Sequence, residues 1–294
     1  MLLLIKLNAE FKDTILAIYR VLIKAKDKKG LVYKISKIFS DMNLNIISNS
    51  EFVSKEYELF FMRSEILGDT LNIKELQNRL QNELPNDSEI KIVDTSKRKK
   101  IVILVTKEIH CLGDILMRNV ANELDADIVE VIGNYNNLEK IVENFEIPYT
   151  TISHENLNRE EHSNLISKRL EKLDFDYIIL AKYMRILPPS FVEKYQNNII
   201  NIHHSFLPAF IGANPYKQAF DRGVKIIGAT AHFVTNNLDE GPIIEQGVTN
   251  INHTYSWKDM QKAGRDVEKM VLSKALKLII EDRVFIYQNR TAII

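Results

Sequence analysis

Three short stretches of the chain concentrate side chains able to act on a carbonyl group. The first runs Ile199-Ile200-Asn201-Ile202-His203-His204-Ser205-Phe206-Leu207-Pro208, at the end of an apolar run of strand character. Residues two apart on a strand face the same way, so Asn201 and His203 project to one side and Ile202 and His204 to the other. An amide donor beside an imidazole can hold a carbonyl oxygen while it becomes an oxyanion. A strand-end asparagine bonding backbone, next to a histidine satisfied in a loop, fits the same residues. The second stretch, Thr235-Asn236-Asn237-Leu238-Asp239-Glu240-Gly241-Pro242, is a loop by its Asn-Asn and Gly-Pro content. A carboxylate in a partly closed cleft can gain proton affinity and act as a general base, although a turn aspartate bonding its own backbone is the commoner role. The third, Lys182-Tyr183-Met184-Arg185-Ile186-Leu187-Pro188, leaves a strand. Backbone groups there could read the edge of a heteroaromatic ring between apolar walls of Met184, Ile186 and Leu187, or simply connect a strand to a helix. The adjacent histidines raise the question of a metal. Their opposed directions, and the lack of a His-Glu-x-x-His helix or clustered cysteines, argue for none.

These stretches need a scaffold. From residue 101 onward, short apolar runs at 101–106, 127–132, 149–152, 177–182 and 198–204 alternate with helical patterns at 112–124, 137–145 and 158–172. Pro188-Pro189 marks another helix start. Apolar strands alternating with helices predict a Rossmann-like, open, mostly parallel α/β sheet, whose ligands bind beyond the carboxyl ends of the strands. Runs 225–234 and 242–250 read as a hairpin or edge strands, followed by a long amphipathic helix at 256–281 and a short strand at 283–287. In front, strand 19–25, helix 31–42, strands 44–54 and 57–66, helix 70–82 and strand 89–93 give βαββαβ, a ferredoxin-like order. The run Thr95-Ser96-Lys97-Arg98-Lys99-Lys100 separates the two patterns and reads as a solvated linker, too short for a nucleic-acid tract. The expected division is an extension over 1–18, a small domain over 19–96 and the α/β domain over 97–294.

Lysine plus arginine and aspartate plus glutamate each number 39, so no net field recommends a nucleic-acid partner. One cysteine, Cys111, rules out an internal disulfide and fits a reducing compartment. The opening Met1-Leu2-Leu3-Leu4-Ile5 stops at Lys6, too short for a signal or a span, so a cytoplasmic protein without membrane contact is expected.

Asn-Ile-His-x-Ser-x-Leu-Pro, with Leu-Asp-x-Gly-Pro about thirty residues later and Met-Arg-Ile-Leu before both, resembles the folate-dependent formyltransferase superfamily. Within it, the pattern closely resembles the formyltetrahydrofolate deformylases. His204, Ala213 and Pro215 fit that group, as do residues 101–114, 226–233 and the run Ala263 to Lys269. The front segment resembles an ACT domain. The resemblance implies hydrolysis of 10-formyltetrahydrofolate to formate and tetrahydrofolate, without cofactor or metal, supplying formate for purine synthesis and balancing one-carbon pools. It assigns catalysis to Asn201, His203 and Asp239, the folate pocket to Met184, Arg185, Ile186 and Leu187, and the closing loop to Thr235, Asn236, Asn237, Leu238 and Asp239, with His232 at its border. It further implies a homo-oligomer and amino-acid control, methionine activating and glycine inhibiting, at the turn holding Asp27 and Gly30. That turn reads Asp27-Lys28-Lys29-Gly30-Leu31, where ACT domains usually carry Asp-x-Pro-Gly-Leu.

The principal rival is an amine formyltransferase of the glycinamide ribonucleotide transformylase type. A phosphorylated acceptor needs a glycine-rich cradle after the first strand, whereas Thr106-Lys107-Glu108-Ile109-His110-Cys111 stands there. The His-Thr-His expected after the catalytic strand is replaced by Asn214-Pro215-Tyr216. The extra RNA-binding domain of methionyl-tRNA formyltransferase is not evident.

Overall fold

The computed structural model describes residues 17–68, 71–209 and 215–294, and divides into two compact units at Lys97/Arg98. Most of the expected extension, residues 1–16, lies outside the described residues, as do Thr70 and Ala213.

The first unit contains β1 (Ala17–Lys26), α1 (Leu31–Asp41), β2 (Asn45–Ser54), β3 (Leu59–Gly68), α2 (Ile73–Glu83) and β4 (Glu89–Asp94), in the ferredoxin-like order. The antiparallel sheet runs β2-β3-β1-β4. Val21, Ile23 and Ala25 alternate toward one face of β1, where they meet Ile35 and Phe39 of α1 and Leu76 and Leu80 of α2. Burial of each such large apolar side chain contributes about 1.5–3 kcal/mol. Ala17 and Ile18 extend the strand expected from residue 19. They pair with Gly68 and Leu67 as the first residues of β1, because its ladder to β3 extends over all ten of its residues.

The second unit follows with β5 (Lys99–Val105), α3 (His110–Val120), β6 (Ala126–Gly133), α4 (Glu139–Glu143), β7 (Tyr149–Thr151) and α5 (Arg159–Leu170). Then come β8 (Tyr177–Leu180), α6 (Pro189–Lys194), β9 (Ile199–His203), α7 (Pro215–Asp221), β10 (Ile226–Phe233), β11 (Ile243–Asn250), α8 (Trp257–Ile280), β12 (Val284–Tyr287) and β13 (Arg290–Ile293). Helix α7 and strand β13 were not expected from the sequence; both are short, with too few residues to set a period.

The seven-stranded sheet runs β11-β10-β9-β8-β5-β6-β7, parallel from β9 through β7, with β10 antiparallel to β9 and to β11. Strands β6 and β7 are laid to one side of β5, and β8 and β9 to the other. The crevice beyond β5 and β8 is therefore the topological switch point. Ile101, Ile103 and Val105 pack on the α3 and α8 side, while Val102 and Leu104 pack on the α5 and α6 side. Helix α8 starts with a capping box between Ser256 and Asp259.

The basic run is not a solvated linker beyond Lys97. Lys99 and Lys100 belong to β5, and Arg98 bonds Asp125 at 2.9 Å and Asp127 at 3.1 Å. Lys99 is buried, with Nζ 3.0 Å from a carboxylate oxygen of the buried Asp282. Three positive charges thus tie the amino end of β5 to neighbouring segments. Lys99→Ala would remove the ammonium beside the buried Asp282 and is expected to destabilise the chain by at most about 3–5 kcal/mol; chemical denaturation of the full chain measures it.

Candidate active site

Thr106 and Lys182 to Leu187 leave the carboxyl ends of β5 and β8 at the switch point. Met184 N donates to Thr106 Oγ1 at 2.9 Å, which joins the two strand ends. With Asn201, His203, His232 and the 235–239 loop, residues 182–187 enclose a cleft of about 330 Å³. Met184, Ile186 and Leu238 expose apolar surface there. All twelve residues expected to form the catalytic and substrate sites line this one cleft.

The candidate catalytic groups are placed by strand register. Asn201 on β9 is paired with His232 on β10, so both side chains project from the same face. Asn201 Nδ2 lies 3.3 Å from His232 Nε2, and His232 Nδ1 lies 2.9 Å from its neighbour's carbonyl, Phe233 O. The carbonyl requires a proton on Nδ1, leaving Nε2 to accept from Asn201. Burial pushes the proton affinity of His232 down, against the raising effects of Phe233 O and Asp239. His232 is therefore a neutral acceptor that aims the Asn201 amide.

His203 ends β9, buried, with Nδ1 3.2 Å from Asp239 Oδ1. Its Nε2 has no hydrogen-bond partner among the described residues. Asp239 sits in a left-handed conformation, φ 57°. The loop is pressed against β10 by Gly241, where a Cβ would lie 1.7 Å from Phe233 O, so no other residue fits without moving backbone. Asp239 was expected to gain proton affinity. Burial does act that way, but the hydrogen bond and charge of His203 outweigh it and hold the carboxyl below the ordinary aspartate value. Asp239 is an ionised partner of His203. Glu240 is spent elsewhere: its carboxylate accepts from Asn237 Nδ2 at 3.1 Å and it does not line the cleft.

The expected opposition of His203 and His204 is also corrected. The strand stops at His203, the chain bends, and the two rings stack with centroids 5.2 Å apart. Thr230 supports the bend, donating to Ser205 O at 3.0 Å and accepting from Leu207 N at 3.1 Å.

Sequence reasoning missed a buried polar cluster next to the cleft. Glu268 of α8 accepts from His110 Nε2 at 2.8 Å and Tyr216 OH at 2.6 Å, and pairs with Lys182 Nζ at 3.2 Å. The available signal was a carboxylate among Val267, Val271 and Leu272 on the apolar stripe of a long helix. His110, Cys111 and Glu268 are also the one group among the described residues spaced to hold a metal ion. They fit one poorly: the Glu268 oxygens are engaged by three donors, one of them an ammonium, and burial pushes the Cys111 thiol well up, away from the thiolate.

A strand-end amide and imidazole, a carboxylate on a closing loop and an apolar slot at the switch point define a formyl-transfer domain of the folate-dependent class. Residues 99–276 match the formyl transferase family and residues 19–84 the ACT domain. The chain is 55% identical over 268 residues to the formyltetrahydrofolate deformylase of Haemophilus influenzae, covering 91% of this chain and 96% of that protein. A crystal structure of a formyltetrahydrofolate deformylase from Pseudomonas syringae superposes with a TM-score of 0.90 at 40% identity, covering 94% of each chain. Glycinamide ribonucleotide transformylase 1 from Symbiobacterium toebii is more distant, with a TM-score of 0.63, 28% identity, and coverage of 67% of this chain and 94% of that one. The chain belongs to the formyltetrahydrofolate deformylase family.

In the first unit, Gly30 caps α1 in a left-handed conformation, φ 86°, and Asp27 N donates to Glu58 O at 2.8 Å. Lys26, Lys28, Lys29 and Lys34 line a groove beside this turn. Among the described residues no helix is long and apolar enough to cross a membrane.

Proposed function

We propose that the enzyme hydrolyses 10-formyltetrahydrofolate to formate and tetrahydrofolate. The observation that carries this reading is the convergence of Asn201, His203 and Asp239 on one cleft whose other wall is the Met184–Leu187 segment. The pterin ring lies along 184–187 with the 235–238 loop over it, which brings the N10-formyl group to the catalytic trio. Water attacks the formyl carbon. Asn201 Nδ2 and His203 Nε2, the ring oriented by Asp239 at Nδ1, donate to the developing oxyanion. Asp239, ionised at neutral pH, takes the proton of the attacking water and passes it to N10 as the C–N10 bond breaks. Formate and tetrahydrofolate leave. The test is formate release from 10-formyltetrahydrofolate with no amine present; strict dependence on an amine acceptor would sink the reading.

The reaction needs no cofactor or metal in this scheme, since carboxylate, amide and imidazole cover each step. Exhaustive chelation is expected to leave turnover intact, measured on the dialysed enzyme. Stoichiometric zinc or iron that revives an inactive protein would contradict this.

The ACT unit senses an amino acid, with methionine and glycine the proposed effectors at the Asp27–Gly30 turn, and helps to assemble a homo-oligomer. Edge strand β2 exposes Ile47, Phe52 and Val53, which suits pairing with another copy. The proposed setting is the cytoplasm, where ungated hydrolysis would drain an activated one-carbon pool and control has a purpose. Formate production titrated against methionine and glycine is expected to rise with the first and fall with the second. An effector acts only through different affinity for two states, so a flat response to both would reduce the unit to an assembly module.

A further inference from the structure

Water and an amine compete for the same formyl carbon on this scaffold, and an amine is intrinsically the better nucleophile. A hydrolase must therefore keep amines out. Lys182 stands at the required place. It follows β8, lines the cleft, is 5% exposed and adopts φ 60°, a left-handed conformation that glycine takes freely and lysine does not. Something must hold a long side chain at such a position, and Glu268 does so from behind the wall, 3.2 Å from Nζ.

The anchor is itself built in. Glu268 is 0% exposed and fixed on both oxygens, by Tyr216 on one and by His110 and Lys182 on the other. Gly264, one turn earlier on α8, makes room for Tyr216: a Cβ there would lie 2.1 Å from the Tyr216 hydroxyl oxygen. His110 opens α3, just where a cradle for an acceptor's phosphate would have to stand, and its ring is tied to Glu268 instead. Glu108 beside it is engaged by Arg265 at 3.1 Å. His204 fills the remaining corner, its centroid 6.0 Å from that of Tyr216. Burial and the charge of Lys182 push its proton affinity down to about 4, so it adds bulk without charge at neutral pH.

We propose that Lys182, anchored by Glu268, is the specificity-determining residue that commits the site to water by closing the cleft to amine acceptors. This rests on the hydrolytic reading above. The side chain fills the wall where an amine would have to enter beside the formyl carbon, and its charge is neutralised by Glu268 behind that wall. As an ammonium ion paired with a carboxylate, Lys182 has no lone pair with which to capture the formyl group itself. With the wall removed, a small neutral amine attacks the formyl carbon, the C–N10 bond breaks, and the amine proton passes to N10, yielding a formamide in place of formate.

The experiment is the partition of the formyl group between water and an added small amine, glycinamide or hydroxylamine, with 10-formyltetrahydrofolate as donor. Partition is a ratio within one reaction, so it does not depend on how far overall turnover falls. Lys182→Gly with Glu268→Gln opens the wall, relieves the left-handed residue and leaves no unpaired buried carboxylate. Its ratio of formamide to formate is expected to rise at least about tenfold over the parent, which corresponds to about 1.4 kcal/mol of altered discrimination. Lys182→Met keeps the bulk without the charge and is expected to stay close to the parent's ratio. An unchanged ratio in the opened variant, or formate release lost with no formamide gained, overturns the proposal. An equal rise in Lys182→Met overturns the steric wall as its basis. A parent enzyme that releases no formate would instead overturn the hydrolytic reading, a separate and visible failure.

Discussion

Asn201→Ala is expected to lower turnover on the order of 100- to 1,000-fold, the loss that follows removal of one donor from an oxyanion site. The amide is held in a fixed direction. Its cross-strand partner His232 accepts one N–H at 3.3 Å and is locked in the accepting tautomer by Phe233 O. The second N–H remains for the substrate oxygen. That donation strengthens as charge moves onto the oxygen, so the loss should fall on kcat and leave folate affinity nearly intact. Steady-state kinetics with a parallel folate-binding titration separate the two. A variant that turns over like the parent would remove Asn201 from the oxyanion site.

Asp239→Asn is expected to lose more, on the order of 1,000- to 10,000-fold, as when an orienting carboxylate loses its charge beside a catalytic imidazole. The substitution removes both the partner of His203 Nδ1 at 3.2 Å and the proton acceptor for water. Glu240→Gln is the matched control. Its carboxylate is bonded to Asn237 and lies off the cleft, so turnover should stay near the parent's. Equal impairment of the two variants would break the assignment. Stability adds a second reading. Asp239 is held below its ordinary value of 3.8, so the unfolded chain binds more protons near that pH. Its contribution is present above the unfolded value and lost as pH falls through the folded one. The asparagine variant should lack that part of the acid dependence of unfolding.

Much of the scaffold could be read from patterns with a fixed physical period. The unbroken apolar run 101–105 declared a strand buried on both faces, and strands alternating with helices beyond it left little choice but a parallel sheet. The candidate catalytic stretches were legible for a related reason. Ligands of open sheets lie beyond strand ends, and Asn201, His203 and residues 182–187 stand at such ends in the sequence itself. Period also set the limits. It misread Lys99 and Lys100, because a charge run looks solvated until the carboxylates that neutralise it come from residues 125–127, 174 and 282.

Where local order gave no distance, only the fold decided. The pairing of Asn201 with His232 depends on β10 lying antiparallel to β9 in one register; a shift of one residue would turn His232 to the other face. The lowered proton affinity of Asp239 depends on the imidazole of His203 brought to it at the end of β9, whereas burial alone would have raised it. The stacking of His203 on His204 depends on where the strand stops. The cluster of His110, Lys182, Tyr216 and Glu268 collects residues spread over more than half of the α/β unit. Sequence determined which groups could do chemistry and that a sheet would present them, because side-chain type and hydrophobic period are local properties. Tertiary structure decided which groups share charge and protons, because those interactions fall off over a few ångströms and their partners are set by register and packing.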